Sequence, residues 1–110
     1  MSDMVSTLTV ANKLTQLAQL YKTGGVSSMM SRTVEKLLDY ETEEAQKQLR
    51  ELEGDLSSFE KQYNLSTTEF YRRYQAGQTD DQMDFVEWAS LAQMATNLRN
   101  RLAVLTGAVG

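Results

Sequence analysis

The chain has 110 residues, of which 41% are apolar and 24% charged, and its net charge at pH 7 is −4. This length is typical of one small domain. The sequence contains no Cys, His or Pro, which excludes thiolate nucleophiles, Ser–His pairs and the common zinc, haem and iron–sulfur sites. An enzyme would need carboxylates, Lys, Tyr or hydroxyl groups, and no catalytic motif of these types occurs. We therefore expect a non-enzymatic protein without cofactor or metal.

Sequence features that govern cellular location point to the cytoplasm. The opening residues Met1–Met4 lack the basic-then-apolar order of a signal peptide. No apolar run reaches the roughly 18 residues that a membrane span needs. The missing cysteines give no disulfide framework that would indicate an oxidising compartment. We expect a cytoplasmic protein.

Charge is distributed unevenly along the chain. Residues 1–38 contain four basic and two acidic groups, a net charge of +2, whereas residues 39–110 contain seven basic and thirteen acidic groups, a net charge of −6. We predict three segments: an N-terminal arm over 1–30, a helical hairpin body over 31–106 and a tail over 107–110. The arm is assigned to dimerisation or DNA contact.

The arm permits two interpretations. Residues 5–10 are β-branched and alternate as in a strand, while Val10, Leu14, Leu17 and Tyr21 recur at helical spacing. The alternatives are one helix from about Ser2 to Thr23, or a short strand followed by a helix from about residue 11. The strand–helix–Gly–helix order resembles ribbon-helix-helix DNA-binding proteins. This resemblance implies that Ser6 or Thr7, Thr9 and Lys13 contact DNA.

The longest predicted helix runs from Ser27 or Ser28 to Asn64. From residue 45 its apolar residues recur at steps of 4, 3, 4, 3 and 4, which is typical of a coiled-coil seam. A seam of this kind predicts self-association through Leu49, Leu52, Leu56 and Phe59. Gly54 interrupts the run, and we expect it to cost roughly 1 kcal/mol or to mark a bend.

Two N-terminal capping boxes follow the long helix. In Ser66–Glu69 the Ser66 side chain is expected to accept from the Glu69 amide, and the short helix then ends at Gly77. Thr79–Gln82 predicts a second box that starts a return helix reaching about Leu105. One face of the return helix carries an apolar stripe. The predicted fold is all-α: a long helix, a short elbow helix and an antiparallel return helix, preceded by a helical or strand–helix arm.

Acidic residues at 41, 44, 81, 84 and 87 allow a metal-binding alternative. The motif of helical nucleotide pyrophosphohydrolases is E-E-x-x-E followed by E-x-x-D. The nearest stretch, Glu43–Lys47, lacks the closing acid. Exposed solubilising charge explains these acids without a metal.

Six of the nine aromatic residues fall between positions 63 and 88. They either cap the core of the helical hairpin or form a patch for a protein partner, since Trp, Tyr and Arg dominate such interfaces. The second interpretation assigns partner binding to Tyr71, Arg72, Arg73, Tyr74, Asp81, Asp84 and Trp88.

The run from Tyr63 to Gly77, continued by Asp80–Asp81, Met83–Phe85 and Glu87–Trp88, resembles short helical antitoxin-like proteins of cyanobacteria and other prokaryotes. The resemblance covers about residues 33–105. It implies that an acidic helical surface binds and neutralises a small basic toxin, often a ribonuclease, and that the protein autoregulates as a dimer. The alternatives are a self-associating coiled-coil scaffold and a carboxylate–metal nucleotide hydrolase.

Overall fold

A computed structural model describes the backbone of residues 2–107 and the side chains of residues 4–107. This part of the chain is helical, with no strand, which confirms the all-α prediction. The helices are α1 (Ser2–Thr23), α2 (Ser28–Tyr63), α3 (Thr67–Gln75) and α4 (Met83–Leu105). None of these helices has the length and apolar character needed to cross a membrane.

The helix α1 decides between the two interpretations of the arm. Residues 5–10 are helical, so the strand that motivated the ribbon-helix-helix comparison is not present. A single chain offers this segment no neighbouring strand to complete its backbone hydrogen bonds, whereas a helix satisfies them internally. The threonines accommodate the helix by donating to carbonyls one turn earlier: Thr9 to Val5 at 3.0 Å and Thr15 to Ala11 at 3.1 Å.

The ends of α2 follow from local capping chemistry. At the start, the Ser27 hydroxyl accepts from the Met30 amide at 3.1 Å. At the other end, Asn64 has a φ of 51°, in the left-handed region that asparagine tolerates, and the Leu65 amide donates to the Glu60 carbonyl. The helix continues through Gly54 without a break.

The two predicted capping boxes have different outcomes. Ser66 caps α3, and its hydroxyl accepts from the Glu69 amide at 3.1 Å, as predicted. Gly77, with a φ of 71°, follows the end of α3. The box at 79–82 was wrong: α4 begins at Met83, and its N-cap residue Gln82 makes no side-chain capping bond. Instead the Asp80 carboxylate accepts from the Gln82 amide and holds the turn before the helix.

The chain forms two compact units, Met1–Leu37 and Leu38–Gly110, whereas the sequence placed the first boundary after residue 30. The second unit contains a hydrophobic core to which α2, α3 and α4 all contribute. Its buried members are Leu52, Leu56, Phe70, Trp88, Ala89, Ala92 and Ala95. Alanines on α4 leave space in the core, and the large rings of α3 and α4 fill it.

Candidate functional site

Trp88 lies at the centre of the aromatic cluster of the second unit. Its ring is 0% exposed and stacks on Phe70, with ring centroids 3.9 Å apart and planes within 1°. Phe59 stacks at 5.5 Å. The indole Nε1 donates to the Thr67 hydroxyl at 3.0 Å, which satisfies the polar atom of an otherwise apolar ring. Trp88 is therefore a core residue in this structure and offers no surface to a partner.

The two tyrosines of α3 lie at the border between core and solvent. Both are half-buried and pack against the core. The Tyr71 hydroxyl donates to the Gln93 side chain of α4 at 2.8 Å, and the Tyr74 ring lies 5.7 Å from that of Phe70. Each tyrosine thus combines a packed ring with a solvent-accessible edge, an arrangement common among residues that anchor protein interfaces.

Arg72 and Arg73 form a local ion-pair network with Glu69 on the exposed side of α3. The Glu69 carboxylate accepts from Arg72 at 2.7 Å and from Arg73 at 3.0 Å. The hydrogen bonds from Arg72 and then Arg73 lower the pKa of the Glu69 carboxyl from its ordinary value near 4.5 to about 2. Glu69 in turn raises the pKa of Arg72. The arginines are exposed, and the single carboxylate of Glu69 balances half of their charge, so α3 has a net charge of +1.

Asp84 and Asp81 have different surroundings. Asp84 is half-buried and accepts from the Tyr63 hydroxyl at 2.6 Å and from Gln62 at 3.3 Å, which joins the end of α2 to the start of α4. The hydrogen bond to Asp84 raises the pKa of Tyr63. Asp81 is exposed and precedes α4. Asp84 therefore supports the fold, and Asp81 is accessible to a partner.

The predicted seam residues pack inside the second unit. Leu52 and Leu56 are buried in its core, and Leu49 and Phe59 are half-buried against it. The apolar residues at this spacing thus form the face of α2 that contacts α3 and α4 of the same chain. Amphipathic periodicity alone does not distinguish an intramolecular partner from a second chain.

The residues assigned to DNA contact, Thr7, Thr9 and Lys13, all lie on exposed positions of α1. A helix advances 100° per residue, so Thr9 and Lys13 share one face, whereas Thr7 is about 160° from Thr9 and about 120° from Lys13 in projection. The structure therefore brings two of the three together. DNA contact stays a prediction.

An open cleft of about 460 Å³ lies among α2, α3 and α4. Both carboxylates of its lining are already engaged: Glu53 pairs with Arg99 at 3.3 Å, and Glu60 accepts from the Thr67 amide at 2.7 Å. Within residues 4–107, no three acidic side chains are grouped closely enough to hold a metal ion. Nothing in this cleft favours the carboxylate–metal alternative.

The carboxylates of the second unit lie mostly at its surface and mostly outside ion pairs. Of its thirteen carboxylates, three form ion pairs among the described residues: Glu41, Glu53 and Glu69. We define the acidic surface as the exposed carboxylates outside these pairs, namely Asp39, Glu43, Glu51, Asp55, Asp80, Asp81 and Glu87. Excess negative potential of this kind attracts a cationic protein surface.

Sequence reasoning missed the polar partners of the aromatic cluster. Thr67, Gln93 and Gln62 bond to Trp88, Tyr71 and Asp84 across 21 or 22 residues of chain, and no local pattern marks such pairs. The sequence did indicate that such partners exist, because a buried Trp or Tyr normally finds a polar partner.

No family model, curated protein or solved structure matches the chain. The resemblance to antitoxin-like proteins therefore stays a prediction.

Proposed function

We propose that this chain is a non-enzymatic cytoplasmic binding protein whose acidic surface covers a basic surface on a small protein partner, in the manner of an antitoxin. The observation that carries the proposal is the net charge of −6 on the second unit, most of it exposed and not balanced by ion pairs. If the partner is a ribonuclease, covering its cationic surface would block access of the nucleic-acid backbone.

A helical hairpin made of α2, α3 and α4, with α4 antiparallel to α2, is the scaffold of this proposal. Contacts between the two long helices support it, because they run in opposite order along the chain. Tyr63 contacts Asp84, Phe59 stacks on Trp88, Glu53 pairs with Arg99 and Glu41 pairs with Arg101. A core that joins three helices holds the surface carboxylates in place before binding, which reduces the entropy lost on association.

Tyr71 and Tyr74 are the proposed apolar anchors of the interface. Charge complementarity accelerates encounter and favours the correct partner, but most binding energy comes from a few desolvated aromatic or Arg contacts. Half-buried tyrosines with accessible edges suit this role. Replacing both by Ala is expected to abolish partner binding, and the circular dichroism of the variant checks that helicity is retained.

The test compares captured proteins from a source lysate for three forms of the tagged full chain. The first is the wild type, and the second carries E51Q, D55N, D80N and D81N, which remove four exposed charges. The third carries K47Q and R50Q, a matched change of opposite sign on α2. We expect the wild type and the third form to retain one basic partner in stoichiometric amount and the second to bind it at least about tenfold more weakly.

Salt provides an independent readout of the same proposal. At about 1 M salt the screening length is about 3 Å, so binding through exposed charges should largely disappear. Equal capture by all three forms, or capture that salt does not weaken, would contradict the acidic-surface proposal. The coiled-coil scaffold alternative loses its proposed seam, because Leu52 and Leu56 are buried within the chain.

A further inference from the structure

The described side chains of the helix α1 are almost all exposed. None of residues 4–23 is buried, and Leu17 is the one residue of this range that is half-buried. Helices in water gain most of their stability from packing an apolar face, and a 22-residue helix without such packing is marginal. A helix of this composition therefore requires a surface to cover its apolar side chains.

These side chains share one broad face of α1. Met4, Leu8, Ala11, Leu14, Ala18 and Tyr21 follow one another at steps of three or four residues. Met4, Leu8 and Leu14 are 71%, 60% and 58% exposed. A shallow, almost wholly apolar groove of about 340 Å³ runs along this face, lined by Ser6, Thr7, Val10, Ala11 and Leu14. We call this the α1 face.

The chemistry of α1 favours another protein helix over a lipid surface or nucleic acid. Its cationic residues are Lys13 and Lys22 alone, far fewer than the basic polar face of a membrane-surface helix or the phosphate contacts of a DNA-binding arm. A weakly charged apolar face instead suits packing against an equally apolar helix. An identical α1 is such a helix, and it introduces no strong charge repulsion.

We propose that the α1 face binds the α1 face of a second copy of this chain, in an antiparallel pair with two-fold symmetry. With the two-fold axis between residues 12 and 13, Met4 lies opposite Tyr21 of the second copy. Ala11 lies opposite its Leu14, so a large side chain meets the groove beside a small one, as close packing requires.

Charge at the helix ends agrees with this direction. α1 carries Lys22 in its last turn, so antiparallel pairing keeps the two copies of this charge at opposite ends of the pair. Parallel pairing would place like charges together. Antiparallel packing also sets the two helix dipoles in opposition, which is favourable. A two-fold arrangement closes on itself and produces a dimer rather than an open chain.

The area of the α1 face suffices for a specific, modest interface. It contains eight apolar residues, when Val10 and Leu17 are added to the six of the stripe. At roughly 60 Å² each, they bury roughly 500 Å² per chain, or roughly 1,000 Å² for the pair. This total reaches the size at which an interface is expected to be specific.

The full chain tests the proposal by light scattering and analytical ultracentrifugation between about 1 and 100 µM, a range that brackets micromolar affinity. We expect the mass of a dimer. L14K places a charge at the centre of the α1 face and should weaken the dimer roughly thirtyfold or more. V5K, on the opposite side of α1, is the matched control and should remain dimeric. Trp88 fluorescence reports that the second unit stays folded in both.

Disulfide trapping tests the direction of pairing, since the natural chain has no Cys. Full-length M4C and Y21C proteins, one carrying a tag, are oxidised separately and as a mixture. Antiparallel pairing predicts cross-linking mainly in the mixture, and parallel pairing predicts it mainly within each variant alone. A parallel pattern, a monomer at all concentrations, equal weakening by V5K, or a monomer that binds anionic lipid vesicles would each overturn the proposal.

This inference is independent of the proposed function, and salt separates the two. The apolar dimer should persist at about 1 M salt, where binding by the acidic surface should fail. The variant with E51Q, D55N, D80N and D81N should likewise remain dimeric while losing its partner. Loss of dimer in this variant, or on adding salt, would count against the α1 face as the interface.

Discussion

At the scale of single residues, Trp88 is the side chain on which the second unit depends most. It is fully buried on α4, stacks on Phe59 of α2 and on Phe70 of α3, and donates to Thr67 at the start of α3. Trp88 thus joins α4 to both of the other helices of the core. Stacked rings supply apolar contact, and the single hydrogen bond fixes the orientation of the indole.

Replacing the acceptor of this hydrogen bond tests its contribution. Thr67→Val keeps the shape of the side chain but leaves the buried indole N–H of Trp88 without an acceptor. The free energy of unfolding is expected to fall by about 1–3 kcal/mol, measured by urea denaturation followed through Trp88 fluorescence. Thr68→Val, at the adjacent exposed position, is the control and should change stability little. Equal effects of the two variants would refute the assigned role.

Glu69 gives a pH-dependent contribution to stability with a definite sign. Because Arg72 and Arg73 lower its pKa to about 2 in the folded chain, the folded form binds fewer protons than the unfolded form between about pH 4.5 and 2. Its stabilisation is therefore complete above that range and is lost as the pH falls through it. Glu69→Gln should flatten this part of the curve of unfolding free energy against pH. An unchanged curve would show that the network contributes nothing.

At the scale of helices, local signals were sufficient where the chain caps itself. Ser66 and Gly77 mark α3 because their chemistry is local. The secondary structure of the arm was ambiguous because Val and Thr favour strands and also occur in helices. Whether such a segment forms a strand depends on whether a neighbouring strand is available to pair with it. The partner of the α2 stripe was likewise invisible, since Leu52 has the same spacing whether it faces its own chain or another.

Gly54 is an exposed glycine inside α2, where a Cβ atom would meet no other atom within 4 Å. Gly54→Ala should raise the free energy of unfolding by about 0.5–1 kcal/mol, because Ala loses less backbone entropy on forming a helix. Gly77→Ala is the contrasting variant: its φ of 71° makes any side chain strained, and it should destabilise. Thermal melts of both variants check the opposite signs, and destabilisation by Gly54→Ala would indicate a need for glycine there.

At the scale of the whole molecule, the step in charge falls at the boundary between the two compact units. The basic and acidic excesses change at residues 38–39, and the units meet at Leu37 and Leu38. The first unit exposes apolar side chains and carries little charge, while the second contains a buried apolar core and exposes carboxylates. Two chemically different surfaces on one chain suit two different associations, one with a second copy and one with a basic partner.

This division predicts that a chain starting at Leu38 folds without the first unit. The core and the residues packed against it lie between Leu49 and Leu98, so removing residues 1–37 deletes none of these residues. We expect the shortened chain to be a monomer. Its free energy of unfolding should lie within about 1 kcal/mol of the value for the full chain, measured at concentrations at which the full chain is also monomeric, because the deleted part contributes mainly a helix cap. Urea denaturation followed by Trp88 fluorescence measures this free energy.

Leu52→Ala in the full chain is the comparison variant. It removes a core side chain and is expected to lower the free energy of unfolding by about 2–5 kcal/mol. A truncation as costly as Leu52→Ala would show that the first unit stabilises the second.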